Sequence, residues 1–352
     1  MNHLCQLMLL LVTALTWLTP VEAQNEVIAS MSLDTPIFNI AWSPDGELLA
    51  AGSSQDAMIL SSTLEFVAEL TGHSGESVSV AWSPDSTKLA TIGGKDDRAI
   101  RIWQRDISTN SFSLTNVLNV QQSQYDQGGV QNLAWSPDGS QLASLAIEYY
   151  QGYPSGTVYI WRTNKWTQQS ETVDGLADIV PSLAWSPDSQ SLALIMRPFC
   201  QSDSCRAVED YQAIYFINAS SGELTRSIPY PILEDFQNIF QVGWTANNYL
   251  IVSGINTAVY EGTTGERQRI LVDSIAGAFA LSADGCCLVQ AHLDGGVVDT
   301  FRNYAIATGQ TITDIDLSEE HFGGRVSTFS WRNNNEIAFA TFDGRIKLLY
   351  LN

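Results

Sequence analysis

Ala41-Trp42-Ser43-Pro44-Asp45-Gly46 is the stretch that decides the architecture, because the chain repeats it. Close copies stand at Ala81–Ser86, Ala134–Gly139 and Ala184–Ser189, and degenerate ones at Gly243–Asn248, Ala280–Gly285 and Ser330–Asn335. A motif that returns about every 40 to 50 residues is the signature of propeller blades, in which no single repeat can bury its own apolar faces.

The residues around each copy follow one plan. A short apolar run leads in (Ile37–Trp42, Val78–Trp82, Val130–Trp135, Ile179–Trp185). A second follows the turn, as in Leu48-Leu49-Ala50-Ala51 and Leu89-Ala90-Thr91, and a third alternates, as in Ile100–Trp103 and Val158–Trp161. Period-two runs of β-branched and aromatic residues bounded by Gly, Pro, Asp and Ser read as short strands. Fourth strands are visible in six repeats, among them Phe112–Val120 and Trp166–Val173. The seventh repeat ends after Ile346–Tyr350, and Val27–Leu33 supplies a strand at the other end. The sequence therefore predicts an all-β, seven-bladed β-propeller of four-stranded antiparallel blades, with the last blade closed by the N-terminal strand. Closure removes exposed sheet edges. Within each turn Pro44 and its counterparts pre-set φ, and Gly46 takes positive φ. Ser86 and Ser189 replace the glycine in two repeats, so a relaxed or mildly strained backbone is expected there.

These repeats resemble WD-repeat (WD40) propellers of the bacterial Trp-Ser-Pro-Asp-Gly type, over essentially all of the chain after residue 23. Blade two is the nearest match: its Gly72-His73, Thr91, Asp97 and Trp103 align with the His–Ser/Thr–Asp–Trp tetrad of that family. The resemblance implies that this tetrad is a structural hydrogen-bonded device. Blade three keeps Trp161 without a Gly-His pair, and blades five to seven lack the tetrad tryptophan. A six-bladed, periplasmic TolB-like propeller also carries Ser-Pro-Asp-Gly turns and is the alternative; seven copies favour seven blades.

Leu7–Leu18 is apolar but too short to span a bilayer, and Val21 and Ala23 satisfy the small-residue cleavage rule. Residues 1–23 read as a signal peptide and 24–352 as a single propeller domain, so a secreted or periplasmic protein is expected, with no membrane insertion after cleavage. No Lys or Arg precedes the apolar run, which leaves an uncleaved anchor as the alternative. With 17 basic and 38 acidic residues the net charge is −21. That balance repels nucleic acid, whose binding needs a positive groove. It suits a basic partner or calcium, or it simply keeps the protein soluble.

Cys200 and Cys205 bracket a polar loop and form a candidate disulfide. Cys286 and Cys287 are neighbours at a strand start, where side chains point to opposite faces; a vicinal disulfide is the alternative. Neither pair has a histidine at zinc-ligand spacing, and no cofactor is expected.

Two insertions stand out. In WD-repeat propellers, loops joining the second and third strands share one end with the loops between blades. Glu148–Gly156 puts Tyr149, Tyr150 and Tyr153 there in blade three, and Arg197–Gln212 puts Phe199, Asp203, Glu209, Asp210 and Tyr211 there in blade four. Aromatics among acidic residues suit recognition of a protein or peptide. The alternative is that these tyrosines pack back on the blade rims. No nucleophile elbow, phosphate loop or dinucleotide fingerprint occurs. His73 belongs to the tetrad match, and His292 reads as a turn or rim residue. The recurring tryptophans are expected to pack between blades. The sequence thus reads as a non-catalytic binding scaffold. The rivals are a ligand-sensing or enzymatic propeller using its central channel or insertion loops, and a calcium-stabilised surface protein.

Overall fold

A computed structural model describes residues 26–54, 56–74, 79–93, 97–120, 128–150, 153–172, 179–196, 213–229, 241–254, 256–272, 276–294, 297–316 and 326–351. These residues form seven sheets of four strands, all antiparallel between neighbours. Six sheets take their strands in chain order: blades one to six span Asn39–Leu70, Ser79–Asn119, Gly128–Thr172, Ile179–Pro229, Gln241–Val272 and Ala276–Asp316. Blade seven takes three strands from Val326–Tyr350 and its fourth from Glu26–Ser32. No helix occurs among the described residues, so none is long and apolar enough to cross a membrane. Residues 1–23, expected to form a signal peptide, and the expected Cys200/Cys205 disulfide lie outside the described residues, as do Phe199, Asp203, Glu209, Asp210 and Tyr211.

Why the chain stacks this way follows from where its apolar atoms go. The second strand of blade one, Leu48–Gly52, is buried along its whole length, whereas the fourth, Phe66–Leu70, is mostly open. A strand of small and branched apolar residues needs cover on both faces, and only neighbouring blades can give it. Among the described residues there are seven apolar clusters, and each joins two adjacent blades. The last joins blade seven to blade one, through Ala338, Ala340, Ile346 and Leu348 against Ile40, Trp42 and Leu60.

Hydrogen bonds repeat with the packing. Indole Nε1 of Trp82 donates to the Ala41 carbonyl of the preceding blade at 3.1 Å. Trp135, Trp185 and Trp331 do the same to Ala81, Ala134 and Ala280, at 3.0, 2.9 and 3.1 Å. The residue that receives the clasp is thus the small residue just before the preceding blade's own tryptophan or, in blade six, before Leu281.

The turns are braced from within. Ser43 Oγ donates to Asp45 Oδ1 (2.5 Å) and accepts from the Leu48 amide (3.0 Å), while Asp45 Oδ1 accepts from the Glu47 amide (3.1 Å). The same serine–aspartate bond recurs at Ser83/Asp85, Ser136/Asp138, Ser186/Asp188 and Ser282/Asp284. Burial would raise the Asp45 carboxyl, but the Ser43 hydroxyl, the Glu47 amide and the Arg105 guanidinium hold it below its ordinary value.

Ser86 and Ser189 take the strained of the two expected alternatives. Both keep the left-handed conformation, at φ 59° and 60°, in place of relaxing out of it. Their hydroxyls accept the amides of Asp45 and Asp138 in the preceding blade, at 2.9 and 3.1 Å. A contact that only a side chain can make offsets the cost of positive φ.

The closing strand pairs in register with the last strand, Val27 opposite Leu349 and Met31 opposite Ile346. It is fastened by the Leu33 amide to the Gly344 carbonyl at 2.9 Å. Gly344 sits at φ +88°, and a Cβ there would lie 2.2 Å from the Leu33 carbonyl oxygen and 2.6 Å from that of Thr35. Both obstacles are backbone. Gly344→Ala is therefore expected to destabilise by more than about 2 kcal/mol. Gly139→Ala, at φ +70° with its nearest neighbour 3.7 Å away, should cost about 1 kcal/mol. Urea unfolding of both variants checks this, and equal losses would mean the closing strand is loosely held.

Candidate functional site

Blade two carries the most complete polar assembly. Trp103 Nε1 donates to Thr91 Oγ1 at 2.9 Å, and Thr91 Oγ1 lies 2.7 Å from His73 Nε2. His73 Nδ1 lies 2.7 Å from Asp97 Oδ2. Thr91 Oγ1 thus takes the indole proton on one side and meets the imidazole on the other, while Arg101 Nη1 approaches His73 Nδ1 to 2.7 Å beside the carboxylate. All four side chains are buried. Asp97 is further held by the Ala99 amide (3.0 Å) and Arg101 Nη1 (2.8 Å). Burial pushes its carboxyl up, but the bonds from His73 and Ala99 and the charges of His73 and Arg101 prevail and bring it down to about 2. Every donor and acceptor in this relay is engaged, which makes it a fastener for the loop at Asp97.

Blade three keeps half of the device, with Trp161 Nε1 on Ser144 Oγ at 3.1 Å. In blade six Tyr304 takes the place of the tryptophan, and its hydroxyl meets His292 Nε2 at 2.7 Å. His292 is a half-buried residue of the strand Cys287–Asp294 and not a turn residue, because the strand runs two residues past it before turning. Burial pushes its imidazole below the ordinary value.

At the same end of the ring the second and third strands of blade three are drawn out. They span Gln141–Tyr150 and Tyr153–Arg162, ten residues each, against five in blade one. Tyr149 pairs with Pro154 and Tyr150 with Tyr153. The segment expected as a loop insertion is thus a β-hairpin up to its tip, since Ile147-Glu148-Tyr149-Tyr150 continues the β-rich run before it. It extends about five residues, or roughly 15 Å, past the reach of the blade-one hairpin.

The central channel has a volume of about 370 Å³ and is lined from all seven inner strands, with no charged side chain and no histidine in its described lining. Its polar groups stitch blades together. Asn39 Oδ1 accepts the Val80 amide (3.1 Å), and Ser182 Oγ accepts the Val242 amide (2.9 Å). Gln241 spans Phe279 at both its amide and its carbonyl, 3.0 Å each. Sequence reading missed these stitches because each partner lies about 40 or more residues away in the next blade.

Cys286 and Cys287 also differ from expectation. Their thiols are free, and the sulfurs face each other at 2.6 Å in place of opposing faces. Cys286 follows the left-handed Gly285, before the strand's alternation begins at Cys287. Burial and the neighbouring Cys286 push the Cys287 thiol up to about 12. Among the described residues no three His, Cys, Asp or Glu side chains gather as metal ligands would.

Two measurements check the assembly. Trp135 is clasped and packed edge-on against Trp166 with ring centres 5.7 Å apart, so Trp135→Ala should cost about 3–5 kcal/mol in chemical unfolding. For Asp97 the folded carboxyl near 2 lies below its unfolded value, so its contribution is complete above about pH 4 and lost as pH falls towards 2. Asp97→Asn should therefore be less stable by about 2 kcal/mol at neutral pH. That deficit should close progressively between about pH 4 and pH 2, read from unfolding curves at each pH.

Comparison with known proteins adds the lineage. A family model described as the ELP1 first N-terminal beta-propeller matches residues 6–216. Protein FIZZY-RELATED 3 of Arabidopsis thaliana is 28% identical over 147 residues, which cover 40% of this chain and 27% of that protein. B-type cell cycle switch protein ccs52B of Medicago truncatula is 30% identical over 130 residues, 36% of this chain and 24% of its own. Protein HIR1 of Cryptococcus neoformans is 26% identical over 171 residues, 42% of this chain and 17% of its own. The aligned stretches thus span about a quarter or less of these relatives' length. The family match covers more than half of the chain and falls on its best-formed blades: the chain belongs to the ELP1 first N-terminal beta-propeller family.

Proposed function

We propose that this propeller is a non-catalytic scaffold that binds a protein partner at the end of the ring marked by the blade-three hairpin. The observation that carries the reading is the hairpin itself. Its strands are twice the length of those in blade one, and three tyrosines, Tyr149, Tyr150 and Tyr153, stand at its tip. Tyrosine supplies large contact area at small entropic cost, and an isolated projecting hairpin gains stability when a partner covers it. The blade-four insertion, with Phe199, Asp203, Glu209, Asp210 and Tyr211, belongs to the same proposed surface, and the net charge of −21 favours a basic partner. The channel lining, uncharged among the described residues, offers no acid–base pair.

The setting is read as extracytoplasmic, secreted or periplasmic, on the strength of Leu7–Leu18 followed by Val21 and Ala23. Cys200 and Cys205 would then close a disulfide. The four Ala-Trp-Ser-Pro-Asp copies support the bacterial-type repeat.

Affinity capture from the host's envelope and medium, with intact chain beside Tyr149→Ala/Tyr153→Ala, tests the reading. A partner held by the intact chain should be lost by the double variant while the melting temperature stays within about 2 °C. Undiminished capture by a folded double variant would remove the hairpin from the interface. The same preparation should begin at Gln24.

A further inference from the structure

The junction between blades four and five breaks the rule that organises its neighbours. Trp244 does not clasp the preceding blade. Its Nε1 donates instead to Asn248 Oδ1 within its own turn, at 2.9 Å. Its indole is only partly buried. In blades one and three the left-handed residue between the third and fourth strands is Leu64 or Trp166, and it packs on the tryptophan of its own blade. Blade five has Gly265 at that point, as blades four and six have Gly222 and Gly309, and Ile228 of blade four occupies the space that a side chain there would take. Beside the indole lies a cavity of about 470 Å³ walled by Phe216 and Trp244, which meet edge to face at 5.6 Å.

A cation stands in this wall. Arg226 lies over the Phe216 ring, 3.9 Å from its centre, and donates to the carbonyls of Gly262 and Thr263. Two other junctions hold an arginine over an aromatic ring, and each gives it a carboxylate. Arg105 over Trp82 pairs with Asp45 at 2.7 Å, and Arg332 over Trp42 pairs with Glu336 at 2.5 Å. Among the described residues no carboxylate forms an ion pair with Arg226. The nearby acids are committed elsewhere: Asp188 to the Ser186 hydroxyl and Gln190 amide, and Glu261 to the Thr264 amide and Asn248.

We propose that this cavity is a peptide-binding site that takes an apolar side chain against Trp244 and Phe216 and an adjacent carboxylate on Arg226. The ligand would supply what the junctions at Arg105 and Arg332 contain and this one lacks, a carboxylate for the arginine, and would cover the open part of the Trp244 indole. Its volume accommodates one or two side chains, in the range of small-ligand pockets. The site is built from turns at the end of the ring opposite the blade-three hairpin, so it goes beyond the proposed scaffold surface and does not depend on it. The overall negative charge opposes long acidic segments, so a single carboxylate next to an apolar residue is the favoured pattern.

The test uses the full chain, 15N-labelled, with the indole N–H resonance of Trp244 assigned from Trp244→Phe. Acetyl-Leu-Asp-amide and acetyl-Phe-Asp-amide are titrated beside their lysine counterparts, acetyl-Leu-Lys-amide and acetyl-Phe-Lys-amide. At least one acidic peptide should move that resonance saturably with half-saturation below about 1 mM, and its lysine counterpart should bind at least about tenfold more weakly. Arg226→Gln, which keeps a planar group over Phe216, should erase the acid preference while leaving weak apolar binding. No saturable shift with any of the four peptides, or equal affinity for acidic and lysine peptides in the unmodified chain, would overturn the proposal. The comparison of peptides needs no variant to fold. Shifts that persist unchanged in Arg226→Gln would overturn the role of the arginine.

Discussion

Every blade has two faces to bury and only its neighbours to bury them against. That constraint sets the rest of the structure. Seven apolar clusters, one at each junction, replace a single central core, so the loss of one junction would expose two sheet faces at once. The ring must therefore close, and closure falls on one strand brought from the far end of the chain. Val27 opposite Leu349 and Leu33 against Gly344 complete blade seven. The junction that follows has its own devices. Ser330 Oγ accepts the Trp42 amide at 2.9 Å, and Arg332 lies over the Trp42 ring while donating to the Gly46 carbonyl at 2.9 Å. Where ordinary junctions use an indole clasp, the closing one uses a serine and an arginine.

The turn carboxylates change the meaning of the chain's acidity. Asp45, Asp85, Asp138 and Asp284 all sit below their ordinary carboxyl values because a serine hydroxyl and a backbone amide two residues on bind the ionised form. Each is a small contribution to folding that requires the charge to be present. Part of the negative balance is therefore architectural, repeated because the turn is repeated. What remains for partner choice is the acidic content of the insertions and inter-blade loops.

Much of this was legible in the sequence. The strands Glu26–Ser32, Ser111–Asn119 and Arg345–Tyr350 lie within a residue of their sequence-based bounds, because period-two alternation and turn residues act locally. The hydrogen bonds joining His73, Thr91, Asp97 and Trp103 also follow an alignment that could be made residue by residue. What escaped was non-local. The left-handed Ser86 makes sense only beside Asp45, 41 residues earlier in another blade. The blade-three hairpin was read as a loop because its tyrosines and Glu148 interrupt the apolar pattern, although backbone pairing carries on beneath them. The release of Trp244 likewise depends on a folded turn, which brings Asn248 Oδ1 to the indole in place of the preceding blade's carbonyl.

The two ends of the ring are thus built under different demands. At the turn end, serine–aspartate braces, Ser86 and Ser189, and the arginines over indoles tie each blade to its neighbour, leaving little room for variation. At the other end, where His73 and Asp97 fasten blade two and Gln290 binds Ser253 and Thr257 across blades five and six, blade three extends its hairpin past the reach of its neighbour in blade one. At the turn end the junction between blades four and five is tied differently: Trp244 bonds within its own turn, and Arg226 reaches the Gly262 and Thr263 carbonyls with no ion pair among the described residues, which leaves its charge open to an external anion.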